Sequence, residues 1–186
     1  MTTVSLRPVD PTSQEDEQKL IDVRTACGWD ADKVPQWMKE MTTGERLLWL
    51  LFSAQPGDGE LNGDQPREEI VGMAALTLEY EDTKGHGASF SKHQSVEICS
   101  LFVYPQYRGA GIGRQAFVAV EEHAKRMGAK TVLLKTGTFE RNIPWYQRMG
   151  YSAFAVVPDY WTGWALSVGK PTTEEFTSAT FMSKEL

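Results

Sequence analysis

The stretch that decides the fold is L-F-V-Y-P-Q-Y-R-G-A-G-I-G-R, which runs from Leu101 to Arg114. It begins with apolar strand formers, Pro105 interrupts them, and three closely spaced glycines lead into a pattern of helical spacing. Glycines let a backbone turn tightly beside a ligand, and the free amides and positive dipole end of a following helix attract phosphate. The segment therefore predicts a strand, an anion-binding loop and a helix.

Strand and helix patterns alternate on both sides of this segment. Apolar runs rich in β-branched and aromatic residues predict strands, and capping residues with helical spacing predict helices. The mixture indicates an α+β fold. The predicted strands are 4–9, 46–54, 69–79, 96–103, 131–135, 151–157 and 178–184, and the predicted helices are 13–26, 36–41, 113–127 and 142–149.

The composition fits one compact domain covering residues 1–186, because 41% of the residues are hydrophobic and the chain is too short for two ordinary domains. No stretch approaches the ~20 apolar residues that span a bilayer, and the start lacks the apolar core of a signal peptide. The net charge of −6 argues against a nucleic-acid surface, and Cys27 and Cys99 lie in no metal-binding pattern. We expect a cytoplasmic protein without nucleic acid, membrane or metal partners.

The glycine loop has four interpretations, of which two are nucleotide-binding motifs. The loop lacks the glycine spacing of a dinucleotide-binding fingerprint, and no Lys-Ser/Thr pair of a nucleotide P-loop follows it. A tight turn whose glycines serve packing alone remains an alternative. The loop resembles the acetyl-CoA signature of the GNAT superfamily of N-acetyltransferases, [Q/R]-x-x-G-x-[G/A], at Arg108, Gly111 and Gly113.

This resemblance implies a mixed, mostly antiparallel, twisted sheet of six to seven strands, flanked by about four helices, with splayed central strands. It implies acetyl-CoA as co-substrate, with the pantetheine arm on the strand before the loop and the Leu101 amide polarising the thioester carbonyl. The implied cofactor-binding residues are Leu101, Phe102, Val103, Arg108, Gly109, Ala110, Gly111, Ile112, Gly113, Arg114 and Asn142.

A second motif, N-I-P-W-Y-Q-R-M-G-Y from Asn142 to Tyr151, resembles a downstream segment of the same family. There the tyrosine is the general acid for the departing thiolate, which implies that role for Tyr146, and Asn142 would bind pantetheine or order the helix start. Packing alone is the alternative for Tyr146.

Glu97 stands where histone-acetyltransferase members of the family hold their catalytic glutamate, so the resemblance implies a general base. Two alternatives stay open for this carboxylate: it binds a cationic substrate, or it pairs with a lysine. Arylalkylamine members have histidines at the positions of Glu97 and Cys99, and the chain departs from them there.

The acceptor pocket of this family is built by the early helices and the connection between the last strands, where this chain is rich in aromatic residues. Trp29, Asp30, Glu97 and Trp161 are the predicted substrate-binding residues, suited to a hydrophobic or cationic amine. We expect an N-acetyltransferase for a primary amine of a small molecule. The alternatives are a protein N-terminal or lysine acetyltransferase and a non-catalytic acyl-CoA-binding domain. Homodimers are common in the family, and no sequence feature here supports one.

Overall fold

A computed structural model describes residues 3–54, 68–78, 90–91, 94–139 and 141–186, and gives an α+β protein. The helices and strands follow the order expected from the sequence, with most ends within two residues of the prediction. The strands are β1 Val4–Pro8, β2 Arg46–Ala54, β3 Glu68–Thr77, β4 Ser95–Val103, β5 Thr131–Gly137, β6 Ser152–Val157 and β7 Ala179–Glu185. The helices are α1 Gln14–Cys27, α2 Val34–Thr42, α3 Ile112–Arg126, α4 Asn142–Arg148, α5 Thr162–Ser167 and α6 Glu174–Thr177.

Hydrogen bonding arranges the strands in the order β1-β2-β3-β4-β5-β7-β6. The pairs β1–β2, β2–β3, β5–β7 and β6–β7 are antiparallel, whereas β4 and β5 are parallel. The mixed, mostly antiparallel sheet that the sequence predicted is therefore confirmed, with seven strands in the described part of the chain.

The chain divides into two compact units. The first unit comprises residues 1–77 and 100–123, and the second comprises residues 78–99 and 124–186. One boundary falls within β4 and another within α3, so both units contain part of each element. The single domain expected from the sequence stays a prediction.

In the first unit, local signals fix the helix ends and burial fixes the strands. The Ser13 side chain accepts a hydrogen bond from the Asp16 amide at 3.2 Å, and Gly28 closes α1 in the left-handed conformation at φ 92°. The middle of β2 and β3 supplies the core, because residues 48–51 and 71–76 are buried. Their continuous apolar runs are typical of strands that are covered on both faces.

In the second unit, β5 pairs with β7 from Thr131 to Gly137, and β4 pairs with β5 over three residue pairs, Ser95↔Thr131 to Glu97↔Leu133. This short parallel pairing agrees with the splayed central strands expected from the sequence.

The stretch 158–171 is rich in proline, tryptophan and glycine, and the sequence analysis assigned no helix to it. It contains α5, which α6 follows. Non-local hydrogen bonds hold this region, since the Trp161 amide donates to the Thr177 carbonyl at 2.8 Å and the Thr177 hydroxyl to the Asp159 carboxylate at 3.4 Å. The described residues thus form six helices where about four were expected. The predicted end of β3 at residue 79 lies outside the described residues.

Candidate active site

Two glycines in the loop between β4 and α3 are required by the backbone conformation. Gly109 and Gly111 have φ of 85° and 80°, a region that residues with a Cβ rarely adopt. A Cβ on Gly109 would meet no atom within 4 Å, and one on Gly111 only the tip of Gln115 at 4.0 Å. Packing therefore does not explain these glycines, which leave an exposed and accessible turn.

The start of α3 places the backbone amides of its first turn beside this loop. The Gln115 amide makes a helical hydrogen bond to the Gly111 carbonyl at 3.1 Å. The preceding amides of Ile112, Gly113 and Arg114 belong to the first helical turn, which has no acceptors of its own for them. Together with the positive end of the helix dipole, they form a site suited to a phosphate group.

Arg108 fastens the loop to the end of β4. Its Nε donates to the Val103 carbonyl at 2.9 Å, and its guanidinium carbon lies 5.8 Å from the centroid of the Phe102 ring. The signature arginine therefore has a structural part to play, which the sequence did not indicate.

Close backbone contact brings β3 against the predicted pantetheine strand at Gly72. A Cβ on Gly72 would lie 2.0 Å from the Phe102 carbonyl oxygen, so only glycine fits. The preceding residue, Val71, is the extra residue of a bulge in β3, and its carbonyl accepts from the Tyr104 amide at 3.0 Å. The isolated glycine in a strand pattern was a usable signal for this approach, and the sequence reasoning missed it.

Glu97 is paired with a lysine, which is one of the alternatives that the sequence left open. The Lys135 ammonium lies 3.0 Å from the Glu97 carboxylate, and their side chains are 27% and 12% exposed. The lysine nitrogen also lies 5.9 Å from the ring centroids of Tyr160 and Phe181. Lys135 could not be found from the sequence, because only the parallel register of β4 and β5 brings it to Glu97.

Asn142 and Tyr146 lie on α4, in the second unit. The Asn142 amide nitrogen donates to the Thr136 hydroxyl of β5 at 3.1 Å and so anchors the first residue of the helix. The Tyr146 ring packs edge-on against Trp145 and Tyr151, with centroids 5.0 and 6.2 Å away. Burial raises the pKa of Tyr146 to about 12, so its hydroxyl keeps its proton at neutral pH.

Trp29 and Asp30 follow α1 in the first unit and are held by a buried arginine, Arg24. The Asp30 carboxylate pairs with Arg24 at 3.2 Å and with Lys33 at 2.9 Å, while Trp29 is 40% exposed. Asp30 thus already has two cationic partners. The sequence reasoning missed Arg24, although its place on the face of α1 that carries Leu20 was a signal for a buried role.

Trp161 belongs to the second unit, whereas Trp29 and Asp30 belong to the first. It is half-buried at the start of α5, where its ring lies 5.4 Å from the Tyr160 ring, centroid to centroid. In the ranges that the structure describes, no group of three or more His, Cys, Asp or Glu side chains is placed to hold a metal ion. The described helices include none long and apolar enough to cross a membrane.

The fold places a glycine-rich loop between a central strand and a helix of a mixed, mostly antiparallel sheet. The family model described as Acetyltransferase (GNAT) family matches residues 29–151, which is more than half of the chain. The chain therefore belongs to the GNAT acetyltransferase family.

Two curated relatives match part of the chain. Glucosamine 6-phosphate N-acetyltransferase of Trypanosoma brucei brucei is 32% identical over 89 residues, covering 48% of this chain and 55% of the relative. IAA acetyltransferase of Azospirillum brasilense is 30% identical over 84 residues, covering 45% of this chain and 48% of the relative. The chain thus spans about half the length of these relatives.

The likeness to solved structures extends over nearly the whole chain. A GNAT family acetyltransferase from Elizabethkingia anophelis with acetyl-CoA bound has a TM-score of 0.64 and 16% identity, covering 98% of both chains. At this identity the likeness shows a shared fold.

Proposed function

We propose that the chain transfers an acetyl group from acetyl-CoA to a primary amine of a small molecule. The observation that carries the proposal is the loop before α3, where left-handed Gly109 and Gly111 leave the backbone exposed beside the first-turn amides. An open cradle of backbone donors at a helix start fits the pyrophosphate of coenzyme A.

Within this proposal, the amides of residues 109–114 hold the pyrophosphate, and the Arg114 side chain adds a charge-assisted contact. The backbone of Leu101, Phe102 and Val103 binds the pantetheine arm, with Asn142 as a further contact. Arg108 supports the cradle through its hydrogen bond to Val103. The proposed binding of acetyl-CoA therefore depends on the backbone amides of this loop.

Acetyl-CoA supplies an acetyl group activated as a thioester. Glu97 accepts a proton as the amine becomes the nucleophile, the Leu101 amide donates to the thioester oxygen, and Tyr146 gives a proton to the leaving sulfur. The Tyr146 hydroxyl carries its proton at neutral pH, as a general acid must before the transfer.

The small-molecule acceptor is supported by the relatives named for glucosamine 6-phosphate and for IAA. Trp29, with 40% of its surface exposed, offers an aromatic surface to such an acceptor, and Asp30, Glu97 and Trp161 are the other proposed contacts. An amine panel that includes peptides tests the choice. Release of free coenzyme A thiol with peptides alone would favour the protein acetyltransferase, and binding without release would favour a non-catalytic domain.

The cofactor site is tested by thermal unfolding with and without acetyl-CoA, using Gly111→Glu and the matched control Gly44→Glu. Both glycines have left-handed backbones, with φ of 80° and 77°, so both variants carry similar strain and the same added charge. Ligand at about 100 times its Kd stabilises a folded site by about 2.7 kcal/mol.

We expect acetyl-CoA to raise the melting temperature of the wild type and of Gly44→Glu, and to leave that of Gly111→Glu unchanged. Equal shifts in all three proteins would place the cofactor elsewhere. No shift in the wild type would contradict acetyl-CoA binding.

A further inference from the structure

Arg24 is a charged side chain in the protein interior, where an unpaired charge is strongly destabilising. It is 2% exposed and shares the buried face of α1 with Leu20 and Val23. A buried guanidinium is tolerated only when its donors are paired with good geometry. The hydrogen-bond partners of Arg24 therefore show which parts of the fold it holds together.

Those partners join the end of α1 to β4. Arg24 donates to the Trp29 carbonyl at 3.1 Å, to the Asp30 carboxylate at 3.2 Å and to the Ser100 hydroxyl at 3.1 Å. Its guanidinium carbon also lies 5.0 Å from the centroid of the Trp37 ring on α2. One side chain thus links α1, the turn that follows it, α2 and the part of β4 that belongs to the first unit.

The turn that Arg24 holds, residues 28–30, contains two residues with left-handed backbones. Gly28 lies at φ 92° and Asp30 at φ 60°, a conformation that is less favourable for a residue with a Cβ than for glycine. The 2% exposed Arg24 binds the Asp30 carboxylate at 3.2 Å, and the half-exposed Lys33 pairs with it from the solvent side. Between the two left-handed residues, Trp29 keeps 40% of its surface exposed.

Stability alone would favour a turn that buries its tryptophan, since burial of a large aromatic ring is strongly favourable. Here Arg24 and its partners hold a tryptophan, Trp29, that keeps 40% of its surface exposed. The network reaches β4 at Ser100, the residue directly before Leu101, whose amide belongs to the proposed reaction site.

We propose that Arg24 is a positioning residue for the acceptor: it fixes turn 28–30 to β4 at Ser100, so that Trp29 forms part of the surface that selects an apolar or aromatic amine. This inference rests on the proposed acetyl transfer and adds a residue that sets the acceptor preference of that same site.

The test measures KM for the acceptor and KM for acetyl-CoA separately in Asp30→Asn, Ser100→Ala and Arg24→Lys, with an aromatic amine that the wild type acetylates. Lys33→Gln is the matched control, because it removes the other cation that pairs with Asp30. The Lys33 side chain is 49% exposed, and exposed ion pairs contribute little to stability. If Arg24→Lys fails to fold, the two partner variants still break the network from the exposed side and from β4.

We expect the acceptor KM to rise about tenfold in Asp30→Asn and Ser100→Ala, the loss typical of one charge-assisted hydrogen bond. The KM for acetyl-CoA should change less than about twofold, and so should both constants in Lys33→Gln. An unchanged acceptor KM, or equal changes in both constants, would overturn the positioning role. A wild type that neither binds acetyl-CoA nor releases its thiol would instead refute the proposed function.

Discussion

At the scale of single residues, Tyr146 combines a family motif with a physical property that suits its proposed task. Its position in the motif came from the sequence, whereas its raised pKa came from the packing of α4 in the second unit. A proton donor must hold its proton until the leaving group needs it, which a tyrosine does at neutral pH.

Tyr146→Phe should lower kcat by about 10²-fold, the lower end of the range for a lost general acid, while the KM for acetyl-CoA changes little. Tyr151→Phe is the matched control, because it removes a hydroxyl from the neighbouring ring in the same unit. Steady-state kinetics of thiol release measure both. A Tyr146→Phe enzyme with wild-type kcat would exclude the acid role.

The pKa of Tyr146 also predicts how stability depends on pH. A tyrosine of the unfolded chain ionises near its ordinary value of about 10, whereas folded Tyr146 ionises at about 12, so the unfolded state binds fewer protons between these values. The free energy of unfolding should therefore fall as pH rises from about 10 to about 12. Urea unfolding at pH 9 and pH 11 should show a loss on the order of 1 kcal/mol in the wild type that Tyr146→Phe lacks. Equal losses in both proteins would contradict the raised pKa.

The ion pair between Glu97 and Lys135 fits two roles of Glu97, general base or structural partner of the lysine, and kinetics can distinguish them. If Glu97 is the base, Glu97→Gln should lower kcat/KM by about 10²-fold and Lys135→Met by less than about tenfold. If Glu97 only partners the lysine, the single variants and the double variant should lose equal activity, as residues acting through one interaction do. Kinetics of the four proteins in the cycle decide between the two.

At the scale of elements, the junction of β3, β4 and α3 depends on close contacts between backbone segments. Gly72 allows β3 to approach the Phe102 carbonyl, and Arg108 then ties the loop to the end of β4. The sequence pattern predicted both strands and the helix, but it did not predict their separation, since that depends on tertiary packing.

Gly72→Ala should destabilise the protein by about 1–3 kcal/mol, the range for overpacking, because the new Cβ would lie 2.0 Å from the Phe102 carbonyl oxygen. Gly113→Ala makes the same chemical change on α3, but there the Cβ would find ordinary contacts with Val103 and Leu101 at 3.9 and 4.0 Å. Chemical denaturation should show Gly113→Ala to be at least as stable as the wild type, since alanine favours helices. A Gly72→Ala protein of undiminished stability would contradict the close approach.

At the scale of the whole molecule, the two compact units share elements of secondary structure. A cut between the units would divide β4 between Cys99 and Ser100, and α3 between His123 and Ala124. Neither unit could keep these elements whole, which favours cooperative unfolding of a single domain.

We therefore expect the chain to unfold in one transition, with the same midpoint by far-ultraviolet circular dichroism and by tryptophan fluorescence. Two transitions in urea, or different midpoints for the two signals, would show that the units fold independently and would contradict the single-domain prediction.

The sequence by itself determined the order of the seven strands and of α1 to α4, the glycine-rich loop and the helix caps at Ser13 and Gly28. These features depend on backbone conformation and on neighbours a few residues away, which the local pattern of glycines, caps and apolar residues controls. The loop glycines belong with them, because left-handed geometry is a local requirement.

Only the tertiary structure decided that Lys135 pairs with Glu97, that Arg24 joins turn 28–30 to Ser100, and that α5 and α6 form where the sequence predicted no helix. Each depends on groups far apart in sequence, so the register of neighbouring strands and the burial of charge determine it. Such contacts form only when the packed fold offsets their loss of water and of conformational freedom, and no local pattern records that balance.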